Sequence, residues 1–141
     1  MGNKVICANN MNKKKTTKTL IGKKIHNWTA RKKFLRPNIT LIELGKELDI
    51  NRTYLSNFIN EKYNKNFNGW INELRIEEAK KLIENYPHWP LSLIGEKVGF
   101  SDLAHFSKQF KLLVGINPSK WKKNEEVHLH DEDSDKTELN K

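Results

Sequence analysis

Apolar side chains recur three and four residues apart in short stretches, and Pro, Gly or Asn interrupts each stretch before it lengthens. That rhythm belongs to amphipathic helices that bury one face. No segment alternates apolar and polar residues over strand length, so the pattern predicts an all-α domain. The first helix is expected over Lys23 to Leu35, with Ile25, Trp28, Phe34 and Leu35 inward and "RPN" ending it. Thr40 caps the next, with Glu43 as the other half of a capping box, and Leu41, Leu44 and Leu48 share its face. After "DIN", Asn51 or Thr53 caps a helix to Tyr63 that buries Leu55 and Ile59.

The longest amphipathic stretch runs over residues 69–86, with Trp70, Ile71, Leu74, Ala79, Leu82 and Ile83 on the helical period. Pro87 and Pro90 end it. Ser92 to Val98 forms a short helix stopped by Gly99, and Ser101 or Asp102 caps a further helix to Leu113. Asn117-Pro118-Ser119 opens a last helical turn around Trp121.

Sliding the chain on itself by fifty residues lays Leu44-Gly45-Lys46-Glu47-Leu48 on Ile94-Gly95-Glu96-Lys97-Val98, and Ile50-Asn51 on Phe100-Ser101. The offset then becomes fifty-one: Leu55-Ser56 falls on Phe106-Ser107, Ile59 on Phe110, Asn66 on Asn117 and Trp70 on Trp121. Each copy reads as a short helix, a tight turn and a second helix, the outline of a helix-turn-helix. A glycine inside a helix costs about 1 kcal/mol relative to alanine. Close approach of the second helix would explain Gly45 and Gly95; two independent helical hairpins are the alternative reading.

Charge changes the picture only at the ends. Across 141 residues, 26 Lys and Arg exceed 17 Asp and Glu, the pI is near 9.6 and the mean hydropathy is −0.78. Residues 1–36 hold eleven bases and no acid; residues 37–123 hold thirteen bases against ten acids; residues 124–141 hold two bases against seven acids. A basic balance raises the expectation of a polyanionic partner, although the middle of the chain is only mildly basic. The composition divides the chain into a flexible basic arm over 1–21, a folded region over 22–123 and an acidic disordered tail over 124–141. Within the folded region the first unit covers 22–67, the linker helix 69–86 and the second unit 91–122. One cysteine, Cys7, excludes an intrachain disulfide. No apolar run reaches the ~20 residues of a membrane span, so a cytoplasmic protein with no membrane partner is expected.

Burying Leu55 and Ile59 turns Arg52, Thr53, Ser56 and Asn57 outward; burying Phe106 and Phe110 exposes Leu103, Ala104, His105, Ser107 and Lys108. These residues suit a helix lying in the major groove, where each base pair presents its own donor and acceptor pattern. Asn57 matches an adenine edge, Thr53 offers a hydroxyl and a methyl, and Arg52 suits phosphate or an outer guanine. Leu103 and Ala104 suit thymine methyls, while His105 and Lys108 donate to guanine. Each assignment has a plainer counterpart: Asn57 as a solvated helix residue, His105 as surface lining, Arg75 as a structural ion-pair partner of the helix scaffold, Trp70 and Trp121 as core. Lys13–Lys15 reads as a solvated run rather than a phosphate-tracking one, and His128 and His130 beside Asp131 and Asp133 as a solvated tail rather than a metal site. Nothing organises catalysis: there is no Gly-rich phosphate loop and no plausible Ser-His-Asp order, and Cys7 lies in the arm. No enzyme and no cofactor are expected.

The residues also carry a resemblance. "ITLIELGKELDINRTYLSNFINEKYNKNFNGWINELRIEEAKKLIE" and "LIGEKVGFSDLAHFSKQFKLLVGINPSKW" resemble the DNA-binding domain of AraC-type bacterial transcription regulators over residues 39–122, and "NRTYLSNFIN" resembles Bacteroidetes-like members. The departures are Gly45 and Gly95, where the family usually has Ala, and Lys122, where Arg usually follows the terminal aromatic. The resemblance implies an all-α domain of two helix-turn-helix subdomains, a homeodomain-like pair joined by a long linker helix, with both recognition helices in successive major grooves of double-stranded DNA. It places base contacts at the outward positions named above. Family members usually carry a sensory or dimerisation region as well, and about twenty residues precede the first helix here. RNA polymerase, or another regulator docked by the same helices, is the partner under a protein-interaction reading.

Overall fold

The computed structural model describes residues 17–125, and within them the chain forms seven α-helices and a 3-10 turn. They are α1 (17–30), α2 (Leu41–Leu48), α3 (Arg52–Tyr63), α4 (Phe67–Asn85), α5 (Leu91–Lys97), α6 (Leu103–Val114) and α7 (118–125). Two compact units divide them. The first takes the described residues up to Phe34 and Asn38–Trp70; the second takes Leu35–Pro37 and the residues from Ile71 onward. The division falls inside α4, whose first turn ends one unit and whose remainder opens the other. Cys7, Lys13–Lys15 and the histidines of the tail lie outside the described residues. Among the described residues, no helix is long and apolar enough to cross a membrane.

In the first unit, Ile21, Ile25 and Trp28 of α1 are buried together with Phe34, Leu44, Leu55, Ile59 and Trp70. Trp28 stacks on Trp70 at 5.8 Å between ring centroids, and Trp70 stacks in turn on Tyr63 at 5.3 Å. α1 departs from the sequence expectation at both ends. It includes residues 17–21, assigned by composition to the arm, because Ile21 lies one turn before Ile25 on the same buried face. It stops at residue 30: Lys32 adopts a left-handed φ of 56°, and a 3-10 turn over Lys33–Leu35 follows. On a continuous helix Phe34 would point away from Ile25 and Trp28, since six residues rotate it by about 240°. The break turns Phe34 inward to 6.4 Å from Trp28.

In the second unit, Ile76, Ala79 and Ile83 of α4 pack with Ile94, Val98, Phe100, Phe106 and Phe110, and Leu35, Leu82, Trp89, Leu91, Val114 and Trp121 close the cluster from its rim. Arg75 is buried at 8% exposure. Its Nη2 donates to the Arg36 carbonyl at 2.8 Å, and its guanidinium lies 5.6 Å from the Phe100 ring centroid. Burial pulls that guanidinium's pKa below its ordinary value. The residue braces the turn before α6 from within the protein.

Candidate nucleic-acid interface

The internal repeat extends to individual hydrogen bonds. At the end of α2 the Ile50 amide donates to the Gly45 carbonyl at 2.9 Å and the Asp49 amide to Lys46 at 3.3 Å. Fifty residues on, the Phe100 amide donates to Gly95 at 2.9 Å and the Gly99 amide to Glu96 at 3.1 Å. Both turns pass through a left-handed residue, Asp49 (φ 54°) and Gly99 (φ 102°), a common helix ending. The extra residue of the second copy is Ser101, because Asp102 and not Ser101 takes the place of Asn51. Asn51 caps α3 by accepting from the Thr53 amide at 2.8 Å, and Asp102 caps α6 by accepting from the His105 amide at 2.7 Å. The Leu55 amide donates to Asn51 and the Phe106 amide to Asp102. At the far end Asn66 accepts from Gly69 at 2.8 Å, and Asn117 accepts from Lys120 at 2.9 Å.

The two glycines have the close contacts that their position demanded. A Cβ on Gly45 would come within 2.9 Å of the Ile50 carbonyl oxygen; one on Gly95 would meet the Phe106 ring and Cβ at 3.1 to 3.2 Å. Gly45 thus faces the turn itself and Gly95 faces the helix beyond it. Even the bracing of the turn recurs: Lys24 of α1 donates to the Leu48 carbonyl at 2.8 Å, and its counterpart fifty-one residues on is Arg75.

These frames fix what the second helices present. On α3, Leu55 and Ile59 are fully buried, Arg52, Thr53 and Asn57 are exposed, and Ser56 is half-buried at the flank. On α6, Phe106 and Phe110 are fully buried, Leu103, Ala104, His105 and Lys108 are exposed, and Ser107 occupies the flank position matching Ser56. The His105 ring rests edge-on against Phe100 at 5.2 Å, which holds it at the start of α6. Each unit therefore gathers its own set on one helix. Sequence reasoning passed over three further outward positions: Tyr54, 62% exposed and the counterpart of His105; the pair Asn60 and Lys111; and Leu112, 73% exposed and the counterpart of Glu61. The fifty-one-residue offset carried that signal. Tyr54 and Leu112 were missed because Tyr and Leu read as core until burial is known; Asn60 and Lys111 lie one turn beyond Ser56, Asn57, Ser107 and Lys108.

The arrangement defines the class: a tandem helix-turn-helix domain in which each second helix buries two apolar residues and turns the opposite face to solvent. A helix-turn-helix domain family matches residues 44–124, and the chain belongs to this family, the AraC-type helix-turn-helix DNA-binding domains of bacterial transcription regulators. It is similar to the Msm operon regulatory protein of Streptococcus mutans, 35% identical over 81 residues, 57% of this chain and 29% of that protein. It is also similar to the arabinose operon regulatory protein of Escherichia coli, 26% identical over 94 residues, 67% of this chain and 32% of that one. The chain thus spans about a third or less of the length of these relatives. Among solved structures, the C-terminal domain of the two-component response regulator yesN from Fusobacterium nucleatum aligns at 27% identity and a TM-score of 0.62, covering 76% of this chain and 98% of that one. The DNA-binding domain of AdpA, solved in complex with a target DNA, shares the fold at a TM-score of 0.67 and 12% identity, covering 77% of this chain and 94% of that one.

Proposed function

We propose that the chain is a sequence-specific double-stranded DNA-binding transcription regulator of the bacterial cytoplasm, placing α3 and α6 in successive major grooves. The observation that carries this reading is the duplicated frame. Two second helices, each capped and braced alike, expose residues suited to base edges: Thr53 and Asn57 on one, Ala104, His105 and Lys108 on the other. Arg52 and the two helix N-termini supply phosphate contacts that set the register. Ser56, Leu103 and Ser107 flank the readers. No step calls for a cofactor or for catalysis.

The second reading, a protein-interaction module that docks RNA polymerase or another regulator, is favoured by the exposed apolar end of α6, where Leu112 is 73% exposed. Selection of bound duplexes from a random library separates the two. Two short boxes about one helical turn apart, near 10–10.5 base pairs, are expected for a domain that reads DNA with both units. A single box would assign base reading to one unit. No enrichment at low salt, where phosphate contacts are strongest, would overturn the reading and favour the protein partner.

A further inference from the structure

We infer that the acidic segment following α7 docks on the outward face of α6 and competes with duplex for it, making the chain self-inhibited. The inference rests on the proposed role of α6 in DNA binding, but the docking itself does not require it.

The repeat supplies the comparison that singles out this face. On α3 the two outward positions of the third turn are Asn60 and Glu61, and Glu61 pairs with Lys18 at 3.2 Å. Their counterparts on α6 are Lys111 and Leu112, followed by Leu113, which is 37% exposed. The α6 sequence "LAHFSKQFKLLV" holds two lysines and no acid, and both lysines are exposed. α7 adds exposed Lys120 and Lys123 within the same unit. A basic stripe beside a solvent-facing leucine pair is a surface awaiting a partner that is acidic and partly apolar.

The chain carries such a partner next to it. Beyond Glu125 the sequence continues "EVHLHDEDSDKTELNK", with six acids against two bases and with Val127 and Leu129 ahead of the densest acidic run. Trp121 of α7 lies 5.8 Å from Phe110 of α6, and sixteen extended residues reach about 50 Å against the ~18 Å length of α6, long enough to pass from α7 around to its outward face. In the docked state the acids would take the place of phosphates at Lys108 and Lys111. A short tether confines its segment to an effective concentration in the millimolar range. Docking with a constant of about 0.1–0.5 mM would weaken apparent duplex binding roughly three- to tenfold at low salt, and the effect fades as salt screens both pairs.

The test keeps the full chain and neutralises the segment by replacing Glu126, Asp131, Glu132, Asp133, Asp135 and Glu138 with their amides. A fluorescent duplex at low salt reports binding, and 15N chemical shifts of the Lys108, Lys111 and Leu112 amides report docking without DNA. Roughly three- to tenfold tighter duplex binding, shifted α6 amides and a steeper salt dependence are expected. Shifts that change while neither form binds duplex would sustain docking and remove the DNA-binding reading instead. Unchanged α6 shifts, or equal or weaker duplex binding by the neutralised chain, would overturn the inference.

Discussion

Arg75 lays its guanidinium against Gly99 so closely that a Cβ at residue 99 would stand 3.0 Å from Nε and 3.1 Å from Cζ. The same Cβ would fall 2.7 Å from the Leu35 carbonyl oxygen, and the Gly99 φ of 102° is one that side chains rarely adopt. The turn before α6 is thus built around a glycine and an arginine 24 residues apart in sequence.

Gly99→Ala combines backbone strain with a clash against a carbonyl that cannot swing aside. It should lower stability by about 2–4 kcal/mol. Gly115→Ala is the control, because Gly115 has a similar φ of 99° but nothing within 4 Å of its Cβ position. Strain alone should cost about 1–2 kcal/mol there. Thermal unfolding of the two variants should place Gly99→Ala clearly lower; equal melting temperatures would deny the packing role of Arg75.

Arg75→Met removes the hydrogen bond to the Arg36 carbonyl and the contact with Phe100 while keeping much of the side-chain volume. A lost hydrogen bond from a buried charged group predicts a cost of about 1.5–3 kcal/mol. Urea denaturation measures it. Because Arg75 is 8% exposed, the base preference of the folded variant should stay that of the parent, and a changed selected sequence would make Arg75 a reader after all.

Asn57→Ala and Lys108→Ala alter exposed positions on α3 and α6, so melting temperature should hold while duplex affinity falls. Each genuine base contact predicts a loss of about 1–3 kcal/mol against the cognate site and little against random duplex. Lys111→Ala, further along α6, should weaken all sequences alike and reduce the salt slope by about one unit. Fluorescence anisotropy over a salt series separates the two outcomes, and uniform loss for Asn57→Ala would reassign it to the phosphate backbone.

Asp102 caps α6 with a carboxylate at the end proposed to approach phosphate. Asp102→Asn keeps an oxygen acceptor for the His105 amide, so stability should change little, whereas Asp102→Ala should cost about 1 kcal/mol. Removing the negative charge should also tighten duplex binding at low salt, since like charges at the helix N-terminus repel. Comparing the two variants for melting temperature and affinity checks both halves.

The local elements were legible in the sequence because their determinants are local. Thr40 and Glu43 form the capping box through hydrogen bonds of 3.2 and 3.3 Å. Asn51 and Asp102, each one of two candidates, are the caps, and Leu44, Leu55, Ile59, Phe106 and Phe110 are all fully buried. The close approach of the second helix expected at both glycines is met at Gly95, by Phe106, whereas at Gly45 the near atom is the Ile50 carbonyl oxygen of the turn. Helical periodicity nevertheless cannot say where a helix must break to satisfy a distant partner. The end of α1 at residue 30 follows from Phe34 needing the same side of the core as Trp28.

For the candidate interface the division is similar. Spacing from the buried pairs placed Arg52, Thr53, Asn57, Ala104 and Lys108 outward, because a helix of known inner face has a known outer one. Ser56 and Ser107 came out half-buried, at an angle to that face too small for full exposure.

The sequence by itself determined the helical segments, the candidate caps and the inner face of each second helix, which follow from residues within a turn or two of each other, and the duplicated unit, which follows from comparing the two halves of the chain. Only the tertiary structure decided that charged Arg75 and Glu78 belong inside and that Tyr54 and Leu112 belong outside. Ser101 likewise emerged as the extra residue of the second turn only when the cap bonds were seen. Those outcomes depend on which surfaces meet across the fold, and burial at such meetings overrides what a residue's own polarity would choose.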